Sequence, residues 1–319
     1  MKRFSVADFP DLANSLRRPF HANYFAMYSS VFDGIVTDPV LMMLPLDDHM
    51  VHRGDGVFEA FKAINGRIYN LQTHLDRLVQ SAAGMALKLP VSESRLRDLV
   101  VETMRAGGQR EATVRIFLSR GPGGFSVNPY EPPRCEVYVV VTALGTPFMR
   151  LHPEGARLQT SRIPAKPPAL AGIKNCNYVP NMLMKKEAID AGVDFTVGFD
   201  DRGFMTEGAV ENVGIVSADG RLLFPKLDHI LAGTTMLRVM ALGEHILPGA
   251  VDVADITRDD LLAAREILLA GTTINVAAGV EFDDRPIADG KPGPIYRALG
   301  DLLDRDMREN TDLLTTVFP

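Results

Sequence analysis

The sequence is short of the features that mark several large functional classes. It has only two cysteines, Cys135 and Cys176, with no C-x-x-C spacing and no secretory signal. Two such residues make neither a disulfide framework nor a zinc site, so both thiols are expected to be free in a reducing cytoplasm, with no metal bound. No apolar run approaches the roughly 20 residues that span a bilayer, and no membrane segment is expected. Basic residues never cluster; the 34 lysines and arginines are interspersed among 40 acidic residues, for a net charge of −6. The electrostatic footprint of a nucleic-acid partner is therefore missing. Two glycine-rich stretches, Gly54-Asp55-Gly56 and Gly121–Gly124, do not fit G-x-G-x-x-G between a strand and a helix, which argues against a nucleotide site.

What is present is ordinary for a globular chain: 46% hydrophobic and 23% charged residues. Its 319 residues exceed the usual size of one core, so two domains sharing a cleft are expected. Residues 1–22 read as an irregular N-terminal extension that packs on a neighbour or is loosely held. A small α/β domain is expected over 23–145. It holds a strand Val57–Ile64, the hairpin turn Asn65-Gly66, a helix Leu71–Ala86, a second helix near Ser92–Arg105, and strands Ala112–Ser119 and Glu136–Thr142. Prolines 147, 153, 164, 167 and 168 mark residues 146–170 as an interdomain linker. A larger domain over 171–319 completes an α/β (α+β) architecture.

The pentapeptide LAGTT occurs twice, at Leu231–Thr235 and Leu269–Thr273. The first copy runs into a helical pattern, which puts Gly233 and Thr234 at a helix N-terminus, where anions bind. The second follows a strand-like run and reads as a turn at a strand end. Two such turns suit a ligand with more than one anionic group, although so short a repeat of common residues also arises by chance. In AGIKNCNYVPNMLMKKEAIDAG, Asn177 is expected to cap a helix that tolerates Pro180 and stops at Gly192. Lys174 precedes that helix, after an apolar, strand-like approach that would bury its amine and favour Schiff-base chemistry. Most lysines are solvated surface residues, so this setting is what singles Lys174 out. Glu207, in TEGAVENV, is either a cap or surface acid, or a buried acid that keeps a heterocyclic nitrogen protonated.

Together these motifs resemble the fold-type IV, or class IV, pyridoxal-phosphate aminotransferases, which include branched-chain and D-amino-acid aminotransferases and aminodeoxychorismate lyase. The resemblance covers about residues 30 to 290. It implies a two-domain enzyme with the cofactor pyridoxal 5′-phosphate in the cleft, and a homodimer. Lys174 matches the Schiff-base lysine and the catalytic residue, and Glu207 the partner of the ring nitrogen. Arg77 in HLDRL matches the phosphate-binding arginine, and Tyr178 a tyrosine near the cofactor's phenolic oxygen. Thr234, Thr235 and Thr272 match phosphate ligands, while Thr273 offers its amide to the substrate carboxylate. Phe58 in RGDGVFE and Arg115 in VRIF match substrate-binding positions. Phe58-Glu59-Ala60 departs from the lyase pattern. The loop Gly121–Val127 lacks the arginine and histidine of bacterial D-specific enzymes, yet SRIPAKPP and the Lys174-x-x-Asn177 spacing resemble plant-type relatives assigned D-amino-acid or lyase activity. The expected reaction is transamination of an L-branched-chain-like amino acid with 2-oxoglutarate. A D-amino-acid aminotransferase, a lyase and a cofactor-binding protein without turnover are the alternatives.

Overall fold

The computed structural model describes residues 1–319, which form two compact units: residues 1–144 with 311–319, and residues 145–310. The first unit runs α1 (Phe9–Ser15), β1 (Tyr24–Ser29), β2 (Gly34–Val36), α2 (His49–Arg53), β3 (Gly56–Ile64), β4 (Arg67–Tyr69), α3 (Leu71–Gly84), α4 (Glu93–Gly107), β5 (Ala112–Ser119) and β6 (Glu136–Thr142). A C-terminal strand, Leu314–Thr316, closes the edge of an antiparallel sheet, lying on β4 in the order β4-β3-β5-β6-β1-β2. Asn65 and Gly66 have φ of 51° and 79°, the two left-handed residues that a tight hairpin between β3 and β4 requires. Helix α3 buries Leu71, Leu75, Leu78 and Ala82, the stripe that its 3.6-residue period predicts, and packs on β3. The Ser92 hydroxyl accepts the Arg95 N–H at 3.2 Å and so starts α4.

The second unit runs α5 (Phe148–Leu151), β7 (Ala156–Thr160), α6 (Pro168–Ala171), α7 (Val179–Ala191), β8 (Phe195–Val197), β9 (Asn212–Val216), β10 (Leu222–Pro225), α8 (Thr234–Gly243), β11 (Val251–Ala254), α9 (Arg258–Leu262), β12 (Glu266–Gly271), β13 (Asn275–Phe282), β14 (Arg285–Pro286) and α10 (Pro294–Glu309). Its mixed sheet has the order β11-β10-β9-β12-β13-β7-β8, with β14 on β13. Leu158, Val197, Val213, Ile215, Ile267, Leu269 and Phe282 form its core. No helix is long and apolar enough to cross a membrane.

The structure departs from the sequence expectations in four places. Residues 146–170 are not a free linker, because β7 lies between β13 and β8 and buries Ala156 and Leu158 at period two; the prolines flank this strand rather than interrupt it. Residues 311–319 belong to the first unit, since Leu314 pairs with Tyr69. Helix α7 is entered through Tyr178 rather than Asn177, whose N–H is taken by Asn175 Oδ1 at 3.0 Å, an Asx turn that holds residues 175–177 out of the helix. The approach to Lys174 is the end of α6 and a turn, not a strand.

Candidate functional site

In the second unit four side chains form one row. Lys174 Nζ donates to the Tyr178 hydroxyl at 3.1 Å and lies 5.7 Å from the ring centroid. Lys166 Nζ sits 5.5 Å from the same centroid and donates to Glu207 Oε1 at 3.1 Å. The other Glu207 oxygen accepts the Leu231 N–H at 3.0 Å. Local folding fixes each member: α7 begins beside Tyr178, while Glu207 is bridged to Asn212 at the mouth of β9 and its carbonyl accepts the Gly198 N–H at 3.1 Å. Glu207 is therefore not a helix cap. It is a partly buried carboxylate with a charged donor on one oxygen and a backbone donor on the other.

Leu231 opens the first LAGTT, and that loop delivers the chain to α8. Gly233 is the N-cap and makes no side-chain cap bond, so the helix N-terminus is built from Thr234 and Thr235 amides with the Thr234 side chain buried. A side chain at 233 is sterically impossible as the chain stands: a Cβ there would lie 1.9 Å from Asn212 Oδ1. Asn212 Nδ2 in turn donates to the Leu231 carbonyl at 2.8 Å, and its backbone pairs with Ala270 of the second LAGTT. Asn212, which sequence reasoning passed over, thus ties the two copies to one strand end. The second copy ends β12 at Gly271, and Thr272 and Thr273 make the turn into β13, as the sequence predicts. Arg238 holds α8 to α10 through Asp306, Nε to Oδ2 at 2.8 Å.

Just before Asn212 lies the buried Glu211. Burial pushes its carboxyl up to about 7, against the Val210 N–H that donates to it and the Lys185 charge, both of which favour ionisation; the nearby Glu207 charge adds to the rise. Gly208 leaves the space it needs, because a Cβ at 208 would meet Glu211 Oε1 at 2.5 Å.

The remaining expected residues belong to the first unit. Arg77 on α3 is bound by Glu59 of β3, with Nε–Oε1 at 2.6 Å and Nη2–Oε2 at 2.8 Å, and His74 Nδ1 stands 2.7 Å from Oε2. Burial works against the Glu59 charge, but the hydrogen bonds from His74 and Arg77 outweigh it and bring the carboxyl down to about 2. On the opposite face of the same sheet, Phe58 stacks on Phe117 at 5.6 Å, and Arg115, opposite Ala60, donates to the Thr142 hydroxyl at 3.2 Å. Burial lowers the Arg115 guanidinium from its ordinary range. The structure thus gathers Lys174, Tyr178, Glu207 and the threonine turns in one unit, and sets Arg77 apart from Phe58 and Arg115 within the other. Lys166 and Glu59 are additions that periodicity had no means of finding, since each is defined by a partner distant in sequence.

An amine beside a phenol, a carboxylate fixed by two donors, and a helix N-terminus with threonines suit an aldehyde, a protonated ring nitrogen and a phosphate. The family model for amino-transferase class IV matches residues 56–281. The chain is 39% identical over 301 residues to the chloroplastic D-amino-acid transaminase of Arabidopsis thaliana, covering 93% of this chain and 80% of that one. It is 30% identical to a putative branched-chain-amino-acid aminotransferase of Methanocaldococcus jannaschii, covering 79% and 87%. Among solved structures, the T.th. branched-chain amino acid aminotransferase with pyridoxamine 5′-phosphate superposes with a TM-score of 0.86 at 27% identity, covering 92% and 99%. The chain belongs to the class IV aminotransferases and is a pyridoxal-phosphate-dependent enzyme of that family.

Proposed function

We propose that this chain moves an amino group from a D-amino acid to a 2-oxo acid, with pyridoxal 5′-phosphate held on Lys174. The bound cofactor supplies an electron-withdrawing ring that takes up the charge left when the donor loses its α-proton. Lys174 would hold the cofactor's aldehyde, and its amine would carry the donor's α-proton as general base and then acid. Tyr178 aims the Lys174 amine through the 3.1 Å hydrogen bond. Glu207 accepts the ring N–H. Thr234, Thr235 and Thr272 would hold the phosphate, and the Thr273 amide would receive the substrate carboxylate. Glu59 keeps the Arg77 fork in one orientation.

The donor's handedness rests mainly on one observation, the 39% identity to a D-amino-acid transaminase over 93% of the chain. The L-branched-chain reading is favoured instead by the Phe58–Phe117 stack, an apolar surface with Arg115 on the same sheet face. D- and L-alanine and D- and L-leucine, each with 2-oxoglutarate as acceptor, separate the two readings when release of the matching 2-oxo acid is followed. Turnover confined to D-substrates supports the first. Turnover confined to L-leucine overturns it in favour of the second.

A further inference from the structure

The segment Pro164-Ala165-Lys166-Pro167-Pro168 takes no part in the chemistry assigned above, yet it delivers a cation to the acid that does. Prolines at 164, 167 and 168 restrict the backbone on both sides of Lys166, so the side chain leaves a stiff, extended stretch. Its ammonium is bracketed by Glu207 Oε1 at 3.1 Å and by the Tyr178 ring at 5.5 Å. With side chains only 20% and 16% exposed, Lys166 and Glu207 are less screened than a surface pair. Glu207 also accepts from Leu231 N, so each of its oxygens already has a donor. A carboxylate has room for a third donor, but one arriving from a ring nitrogen would meet a charge already offset by Lys166.

We propose that Lys166 is a positioning residue that competes with the cofactor's ring nitrogen for Glu207: it holds the carboxylate in place and limits how strongly the site retains a protonated ring. The inference rests on the reading of Glu207 as the ring-nitrogen partner. Lys166 thereby links the two ends of the row, because the Tyr178 ring it faces carries the hydroxyl that binds Lys174.

The test uses pyridoxine 5′-phosphate, which has the ring nitrogen and phosphate but no aldehyde, titrated by fluorescence into the full chain freed of cofactor at pH 7. Lys166→Met is expected to bind it about fivefold more tightly than wild type, the scale of one partly buried ion pair. Lys166→Arg should restore wild-type affinity, and Lys166→Met should have no effect in a Glu207→Gln background. A purely structural lysine would give the reverse, weaker binding in both backgrounds. If Lys166→Met binds as wild type does or more weakly, while Glu207→Gln alone weakens binding, the competition is overturned and the reading of Glu207 stands. If Glu207→Gln alone leaves affinity unchanged, Glu207 is not the ring partner, and both fall together.

Discussion

Lys174 has little competition for its proposed role, because the lysines around it are committed elsewhere: Lys166 to Glu207, Lys185 to the Asp194 carbonyl and Lys186 to Asp190. Lys174→Ala should therefore lower transamination by on the order of 10⁴-fold or more, since it removes both the covalent anchor and the proton carrier. Borohydride reduction followed by peptide mapping checks the anchor, and a reduced adduct on any other lysine refutes the assignment. Glu211 offers a test through pH. Its carboxyl titrates near 7 in the folded chain, against an ordinary 4.5, so the folded state binds its proton more tightly than the unfolded state does. The stability this contributes is complete below about pH 4.5 and is lost as pH rises through 7. Glu211→Gln keeps the shape without the charge, so relative to wild type it should gain stability at pH 8 and not at pH 4.5. Urea midpoints at the two pH values measure this; an equal shift at both would mean that folding does not raise the Glu211 pKa.

The Gly233 loop and β9 act together as one element. Asn212 fixes the loop through the Leu231 carbonyl and occupies the space beside Gly233 where a side chain would go. Gly233→Ala should cost roughly 1–3 kcal/mol through overpacking and displace Asn212 from that carbonyl. Inorganic phosphate, tested as a competitor of cofactor binding, should then compete less well; unchanged competition would remove the α8 N-terminus from the anion site. Much at this scale was legible in the sequence. The β3–β4 hairpin, α3, α4, β5, β6 and both LAGTT settings follow from turn residues and periodicity, which are local signals. What local patterns could not supply was long-range pairing: β7 against β13, the return of residues 311–319 to β4, Lys166 to Glu207 and Glu59 to Arg77. Asn177 misled because a good N-cap residue was outcompeted by the Asx turn of Asn175 two residues earlier.

At the scale of the whole molecule, the first unit leaves large apolar side chains in solvent. Phe20 and Phe32 are 54% and 53% exposed, and Val127 and Tyr130 are 81% and 90% exposed. Beyond α1, Arg17 pairs with Asp38 at 2.6 Å, and the Phe20 ring packs edge-on to Tyr24 at 5.9 Å. Isolated apolar residues on a surface need no explanation, but several large ones half or more exposed in one unit favour burial by a second chain. We therefore expect a homodimer that covers Phe20 and Phe32. Burying one phenylalanine contributes roughly 1.5–3 kcal/mol, so placing charges at two of these positions should weaken association by on the order of 10²-fold or more. Light scattering over a dilution series tests this: wild type should remain two chains at micromolar concentration, while Phe20→Glu/Phe32→Glu dissociates with its circular dichroism unchanged. A wild-type monomer at every concentration would refute the dimer, and a variant that stays dimeric would place the interface on another surface of the chain.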